Sequence, residues 1–460
     1  MRLSFVSWLV LLPLGACARG PAPTGGEAVG QGGVVTPPTG APEGGRSNAG
    51  DAGTEGAVAV ADAAPAQLDP DGDDDPVDFG KGALPASGRF VKVGRPPLAL
   101  TRICDLTPFK GVLYAAHANQ PLGTDGATIT RYDPSNAARP FTVAFDWNRF
   151  GEPTRGGGAG QGFVRVHAIG GRLFVPDADP PYDGFHIVDQ GTEGFVFVSD
   201  DAGKFAPPTM PHFRPPKGVG ILPRAYHVLD TIRFRGRYYA STGSVPPTER
   251  AWHGASPGAL HVANADLTRW TYEVDYPFPW QNGVWRLSYL VRFKDRLYAG
   301  IQDYDRREPN DYVVFAPPPD APAITREHVR PSRVVGTAET LRWYADTAVN
   351  GTPRLFWITA ARDGVRLRVT YDGDTWEPID LPAGAGRPTD VTRFRDGVVI
   401  LTERKLLRLT DDDTLTEIAS IDDKKSPFEI GDIFCVAPLA VLNDTLYAGG
   451  QRGGDLYRLE

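Results

Sequence analysis

The stretch FKDRLYAG (293–300) places an apolar residue before a two-residue polar turn and an alternating apolar run after it. Variants occur along the whole chain: FKGVLYAA (109–116), IGGRLFVP (169–176), FRGRYYAS (234–241), NGTPRLFWI (350–358), RDGVVILT (395–402) and LNDTLYAG (442–449). Counted from Leu113, the apolar position after the turn recurs at Leu173, Tyr238, Leu297, Leu355, Val398 and Leu446, in steps of 60, 65, 59, 58, 43 and 48 residues. Alternation bounded by turn residues is the pattern of a strand hairpin with one buried face.

Further strand patterns lie between the hairpins: ATITRYD (127–133), FTVAFDW (141–147), GFVFVSD (194–200), GALHVAN (258–264), WTYEVDY (270–276), DYVVF (311–315) and VRLRVTYDG (365–373). Small antiparallel sheets repeated at this period are the sequence form of a β-propeller. The expectation is an all-β fold, a seven-bladed β-propeller of four-stranded antiparallel blades over residues 84–460, or about 54 residues per blade. The last unit supplies three strands and then the chain stops. Arg89-Phe90-Val91-Lys92-Val93 is a short strand without a blade of its own. It is expected to become the outer strand of the final blade and so close the ring, leaving no large unpaired inner edge.

Residues 1–16 read as a signal peptide: a basic start at Arg2, then an apolar run from Leu3 to Leu14 too short to span a bilayer. It ends in Leu14-Gly15-Ala16-Cys17, which resembles the lipobox of bacterial lipoproteins. That resemblance implies cleavage before Cys17, lipidation of its thiol and new amino group, and a membrane anchor in the cell envelope. Ala18 after the cysteine favours the outer membrane, on its periplasmic side or at the surface. Residues 17–83 read as a disordered tether rich in Gly, Pro and Ala, because they lack the apolar surface that would offset ordering entropy.

Residues 18–80 hold eleven acids against two bases, while the whole chain carries a net charge of −8. The acidity therefore belongs to the tether, and the folded part has no net field to attract nucleic acid. No nucleic-acid partner is expected, and the chain is expected to act as a monomer. Asp69-Pro70-Asp71-Gly72-Asp73-Asp74-Asp75 alternates carboxylates like a calcium loop but lacks the sixth-position glycine and the downstream glutamate. A solvated acidic linker is the stronger reading, with calcium as the alternative. The histidines are scattered, without HExxH or CxxC spacing, so no metal site is expected.

In a four-stranded blade the first turn lies on one face of the disc, and the second loop and the inter-blade connection lie on the other. The first turns here are minimal, as in Lys110-Gly111, Gly170-Gly171, Arg235-Gly236, Lys294-Asp295 and Asn443-Asp444. The opposite face carries the unusual chemistry, where a site on a rigid scaffold is expected. The ends of the second strands offer His117, then Asp177 and Asp179, then Asp303 and Tyr304. Paired carboxylates at equivalent places suit acid/base work or a metal; the plainer alternative is that they accept backbone hydrogen bonds in turns.

Nine residues before the end of the turn stand Arg102, His227, Arg286 and Arg342, with Arg165 offset in the second blade. They would form a partial ring in the channel, and arginine's planar fork suits carboxylate or sulfate. Trp280, Trp285, Trp343 and Tyr226 lie in the same connections, as groove aromatics or as core. Gly151 to Gly162 is glycine-rich but lacks the Lys-Ser/Thr and the helix of a phosphate loop; it reads as a loop over the channel mouth.

Ser199–Phe205 and Tyr371–Trp376 resemble the Asp-box turns of sialidase-like propellers, imperfectly. In that family the boxes are structural, so the resemblance implies fold and not activity. Two functions follow from these residues. One is a non-catalytic lipoprotein whose face binds a polysaccharide or envelope protein through Arg102, Arg286, Arg342, His117, Trp285 and Tyr304. The alternative is a glycoside hydrolase or polysaccharide lyase on an anionic glycan, with Asp177, Asp179, Asp303 or His227 as acid/base. Neither needs a cofactor. Cys104 and Cys435 lie on the inner strands of the first and last units, so ring closure would make them neighbours; the expectation is a disulfide across the seam or two buried thiols.

Overall fold

The computed structural model describes residues 78–118, 127–147, 162–178, 193–206, 218–245, 255–346, 352–410, 414–421 and 425–460. The signal peptide, Cys17, nearly all of the tether with its acidic loop, Asp179 and the glycine-rich segment up to Gln161 lie outside the described residues. Among those described, the regular structure is almost entirely antiparallel strand, with a 3-10 turn at Arg326–His328. No helix there is long and apolar enough to cross a membrane.

The first repeat forms a four-stranded blade in sequence order, Ile103–Phe109, Val112–His117, Thr128–Tyr132 and Phe141–Asp146. Three more such sheets start at His167–Ile169, Glu339–Asp346 and Pro388–Phe394. A fifth contains Leu439–Leu442, Thr445–Gly449 and Leu456–Leu459, and its outer strand is Phe90–Gly94 from the other end of the domain. Phe90 pairs with Leu459 and Lys92 with Tyr457, so the two ends of the ring share the closing sheet. Inner strands of successive repeats adjoin one another, giving a propeller-like ring.

The ring shows five separate four-stranded blades, not the seven expected. The strands of the third and fourth repeats are merged into one nine-stranded sheet. The cause is local. The inner strands Ala225–Phe234 and Gly283–Phe293 are long, and at their loop-side ends Gly243 pairs with Arg286 while Ala255–Ser256 runs parallel to Gly283 and Val284. A Cβ at Gly243 would meet Arg286 Cγ at 3.0 Å and the Tyr226 ring at 3.1 Å, so a side chain there would push on both neighbours.

The tight turns use left-handed backbone at both central residues, for example φ 51° and 77° at Lys110-Gly111 and 49° and 61° at Asn443-Asp444. That geometry matches strand twist. Blades pack through alternate buried residues such as Leu113, Phe174, Leu297, Phe356 and Leu446. The two Asp-box-like turns lock neighbouring repeats. Asp200 accepts from the amides of Ala202 and Lys204, and Asp372 from those of Asp374 and Thr375. Their glycines, Gly203 and Gly373, sit against Tyr114 and Tyr298, the tyrosines of the preceding repeat's LY pair or its equivalent.

Cys104 and Cys435 are joined in a disulfide, with Cα atoms 4.4 Å apart and a sequence separation of 331. The bond crosses the seam beside the shared closing sheet. In the chain-entropy model a loop of this length is worth roughly 6 kcal/mol, just above the range such bonds usually reach.

Candidate functional site

Two charged layers are built on the inner strands. The deeper one is a belt of Asp105, Arg165, Asp230, Arg342 and Asp390, each no more than 7% exposed. The three aspartates occupy one register, four residues before the phenylalanines that end their strands, Phe109, Phe234 and Phe394. Each carboxylate accepts a backbone N–H from the next inner strand: Val166 at 3.0 Å, Leu290 at 2.8 Å and Leu439 at 2.7 Å. A register shift in the pairing of each strand falls at that aspartate.

Arg342 donates to Asp105 at 3.0 Å and to the carbonyl of Cys104, and Arg165 lies 3.6 Å from Asp105 with its guanidinium over the Tyr289 ring. His167 Nε2 meets Asp230 at 2.6 Å. Burial pushes the Asp390 carboxyl up to about 7 and Asp105 upward as well, partly offset for Asp105 by Arg165. Burial works against the His167 imidazolium, but the Asp230 carboxylate outweighs it and holds the group above its ordinary value.

The outer layer sits where the third and fourth repeats merge. His227 and Arg286 flank the same glycine, Gly243, on opposite strands, and this brings the Arg286 guanidinium onto His227 Nε2. His227 Nδ1–H donates to the Ala178 carbonyl, so Nε2 is an acceptor and the ring is neutral. Burial and the Arg286 charge push its pKa well below the usual histidine value. Arg286 also reaches Gln302 Oε1 and stacks 4.6 Å from the centre of the Tyr304 ring, which is 39% exposed.

Other expected site residues lie apart from this group or serve the fold. Arg342 and Arg165 belong to the buried belt. Arg102 is ion-paired with Asp432 at 3.1 Å. His117 is buried between the Arg102 carbonyl and Thr130 Oγ1, and burial lowers its pKa to about 4. Trp285 is 2% exposed and packs in a core with Leu287 and Ile301. Asp177 is fully buried; its amide donates to Phe195 and its carbonyl accepts from Val228. Asp303 accepts the amides of Asp305, Arg307 and Glu308 at 2.9, 2.6 and 2.7 Å, which is the turn role rather than a free acid.

Beside Asp303 is a small cavity lined by Ile301, Asp303, Arg306, Glu308, Asn310 and Thr337 to Glu339. Glu339 was not among the expected residues. Burial raises its carboxyl pKa, while Arg306 and Arg286 pull it back. Among the described residues, no group of three or more His, Cys, Asp or Glu is arranged to hold a metal. The belt did carry a sequence signal: DLTPF (105–109), DTIRF (230–234) and DVTRF (390–394) share Asp and Phe four apart.

No family model and no curated protein matches the chain in sequence. Solved structures resemble it in fold. Virginiamycin B lyase from Staphylococcus aureus aligns with a TM-score of 0.47 at 10% identity, covering 81% of this chain and 99% of that one. The computationally designed Ika8 protein aligns at 0.43 and 10%, covering 80% and 99%. Prolyl oligopeptidase B from Galerina marginata aligns at 0.45 and 11%, covering 79% of this chain and 47% of that one.

Proposed function

We propose that this chain is an exported, lipid-anchored propeller-like protein whose loop-bearing face binds a polysaccharide of the cell envelope or exterior without turning it over. The observation that carries the non-catalytic reading is the state of the candidate acids and bases. A glycoside hydrolase needs two carboxyl groups free to exchange protons across the scissile bond. Asp303 is committed to three backbone amides, and both His227 nitrogens are engaged, one of them by a guanidinium. This edge of the face also presents the ring of Tyr304, 39% exposed and stacked against Arg286, which suits binding.

Glycan-array binding by the purified chain, followed by a reducing-end assay on every glycan retained, tests the reading. Retention without new reducing ends is expected; release of reducing ends would replace it with the hydrolase alternative. The anchor rests on the lipobox resemblance. A clickable fatty acid fed to cells expressing the chain should label the parent and not C17A, and equal labelling of both would remove the anchor from the proposal.

A further inference from the structure

The cavity beside Asp303 has two walls, each a loop gathered by one buried carboxylate. On one side Asp303 holds the amides of residues 305, 307 and 308. On the other, fully buried Asp311 accepts from Val334, Val335, Gly336 and Ala338, all within 3.0 Å. Each wall contributes a non-glycine residue in left-handed backbone, Arg306 at φ 52° and the β-branched Thr337 at φ 59°. Such conformations persist only where the surroundings over-determine them, as these carboxylates do. The cavity is therefore a built feature of the loop-bearing face.

Glu339 closes it. The side chain is 17% exposed, and its Oε1 lies 3.8 Å from Arg306, beyond hydrogen-bond reach. Its Oε2 is buried without a hydrogen-bond partner among the described residues. A buried acceptor left unpaired costs about 1–3 kcal/mol, more when it is charged, so this oxygen is a standing demand for a donor. The space is about 10 Å³, close to the minimum that holds one water-sized group. A second carboxylate faces it from Glu308, whose Oε1 is held by Tyr276 and Asn310. Two cations, Arg306 in the lining and Arg286 near Glu339, stand against three acids, Asp303, Glu308 and Glu339.

We propose that this cavity is a subsite for the protonated primary amine of an amino sugar in the bound polysaccharide. An ammonium is one heavy atom wide, has three donors and brings the positive charge that the acids lack. Tyr304, next in sequence to the lining residue Asp303, exposed and stacked with Arg286, is the platform for the sugar ring, since a pyranose presents C–H groups to an aromatic face. An N-acetyl group is too large for the space and carries no charge. The inference rests on the polysaccharide-binding reading and adds the chemistry of the ligand.

The test is calorimetric titration of the full chain with a β-1,4-linked glucosamine trisaccharide, its fully N-acetylated form, and a tri-lysine peptide. The glucosamine form is expected to bind at least about tenfold more tightly than either of the others, a difference of about 1.4 kcal/mol. E339Q should remove that preference while melting no lower than the parent, because it replaces an unpaired buried carboxylate with an isosteric neutral group. Equal binding of the two trisaccharides, or a preference that survives E339Q, overturns the subsite; tighter binding of tri-lysine reassigns it to a protein ligand and overturns the sugar. If neither trisaccharide binds but other glycans are retained on the array, the amine subsite fails and the binding reading stands. If no glycan is retained, both fail.

Discussion

The belt and the cavity use the same residue types, carboxylates beside arginines on the inner edge of a propeller-like ring, and put them to opposite ends. In the belt, Asp105, Asp230 and Asp390 each collect a backbone amide from the next inner strand, and Asp105 adds two guanidiniums. At the cavity, Glu339 keeps one buried oxygen without a hydrogen-bond partner among the described residues and one arginine at 3.8 Å. Carboxylates whose oxygens all have protein partners are structural, even though Arg165 Nε and Arg342 Nε beside them have no hydrogen-bond partner among the described residues, whereas the open oxygen of Glu339 is available to a ligand. Position near a channel does not decide function; the hydrogen-bond inventory does.

The largest effect is expected at Arg342. Arg342→Ala removes a cation bonded to Asp105 and to the Cys104 carbonyl, leaving a buried carboxylate with the Val166 amide and Arg165 at 3.6 Å. Breaking a buried pair from one side costs about 3–5 kcal/mol, so chemical denaturation should show a loss of that size. If the loss is under about 1 kcal/mol, as for a surface pair, the belt is not a closed structural unit.

A pH titration of stability probes the closed side of the same contrast. Burial lifts Asp390 from 3.8 to about 7, so between those values the folded protein holds a proton that the unfolded chain has lost. Stability from this group is present at low pH and falls as pH rises through about 7. His167, also raised, acts in the same direction: its contribution is full below the unfolded value and is lost as pH rises through the folded one. One extra proton held by the fold is worth about 1.36 kcal/mol over each pH interval of one, so Asp390 should remove about 3 kcal/mol of unfolding free energy between pH 5 and pH 8. Buried neutral His117, His227 and His261, with lowered values, act in the opposite direction up to the ordinary histidine range, so the Asp390 contribution is read as the parent minus Asp390→Asn difference. A difference that does not decline over this interval would mean that Asp390 is ionised in the fold and the belt is balanced differently.

Much of the architecture was legible because strand alternation and two-residue turns are local signals. The hairpins at 109–116 and 442–449 and the closing strand at 90–94 depend on residues adjacent in sequence. The merging of the third and fourth repeats was not legible, since it turns on one pairing, Gly243 with Arg286, between segments 43 residues apart. The arginines show the same limit. Counting back from the turns found the strands they occupy but could not separate Arg286, which contacts the exposed Tyr304, from Arg342, which faces Asp105 across the ring. Glu339 escaped notice because nothing in its own neighbourhood marks it; Arg306, thirty-three residues earlier, and the loop held by Asp311 make its setting.

The smallest expected effect belongs to Asp303, which lines the cavity yet is satisfied like a belt acid. Its carboxylate binds three amides of one loop and none from another blade. Asp303→Asn keeps one acceptor oxygen and loses the charge, a change worth about 1 kcal/mol by the usual net value of a hydrogen bond. Because the partners all lie within residues 305–308, the cost should appear as local opening and not as ring unfolding. Amide exchange at Asp305, Arg307 and Glu308 should quicken about five- to tenfold, as RT ln of that ratio requires for about 1 kcal/mol, while belt amides such as Val166 and Leu439 keep the parent rate. If those belt amides quicken equally, the cavity wall and the belt open as one unit, and the division between structural and available charge does not hold at this edge of the ring.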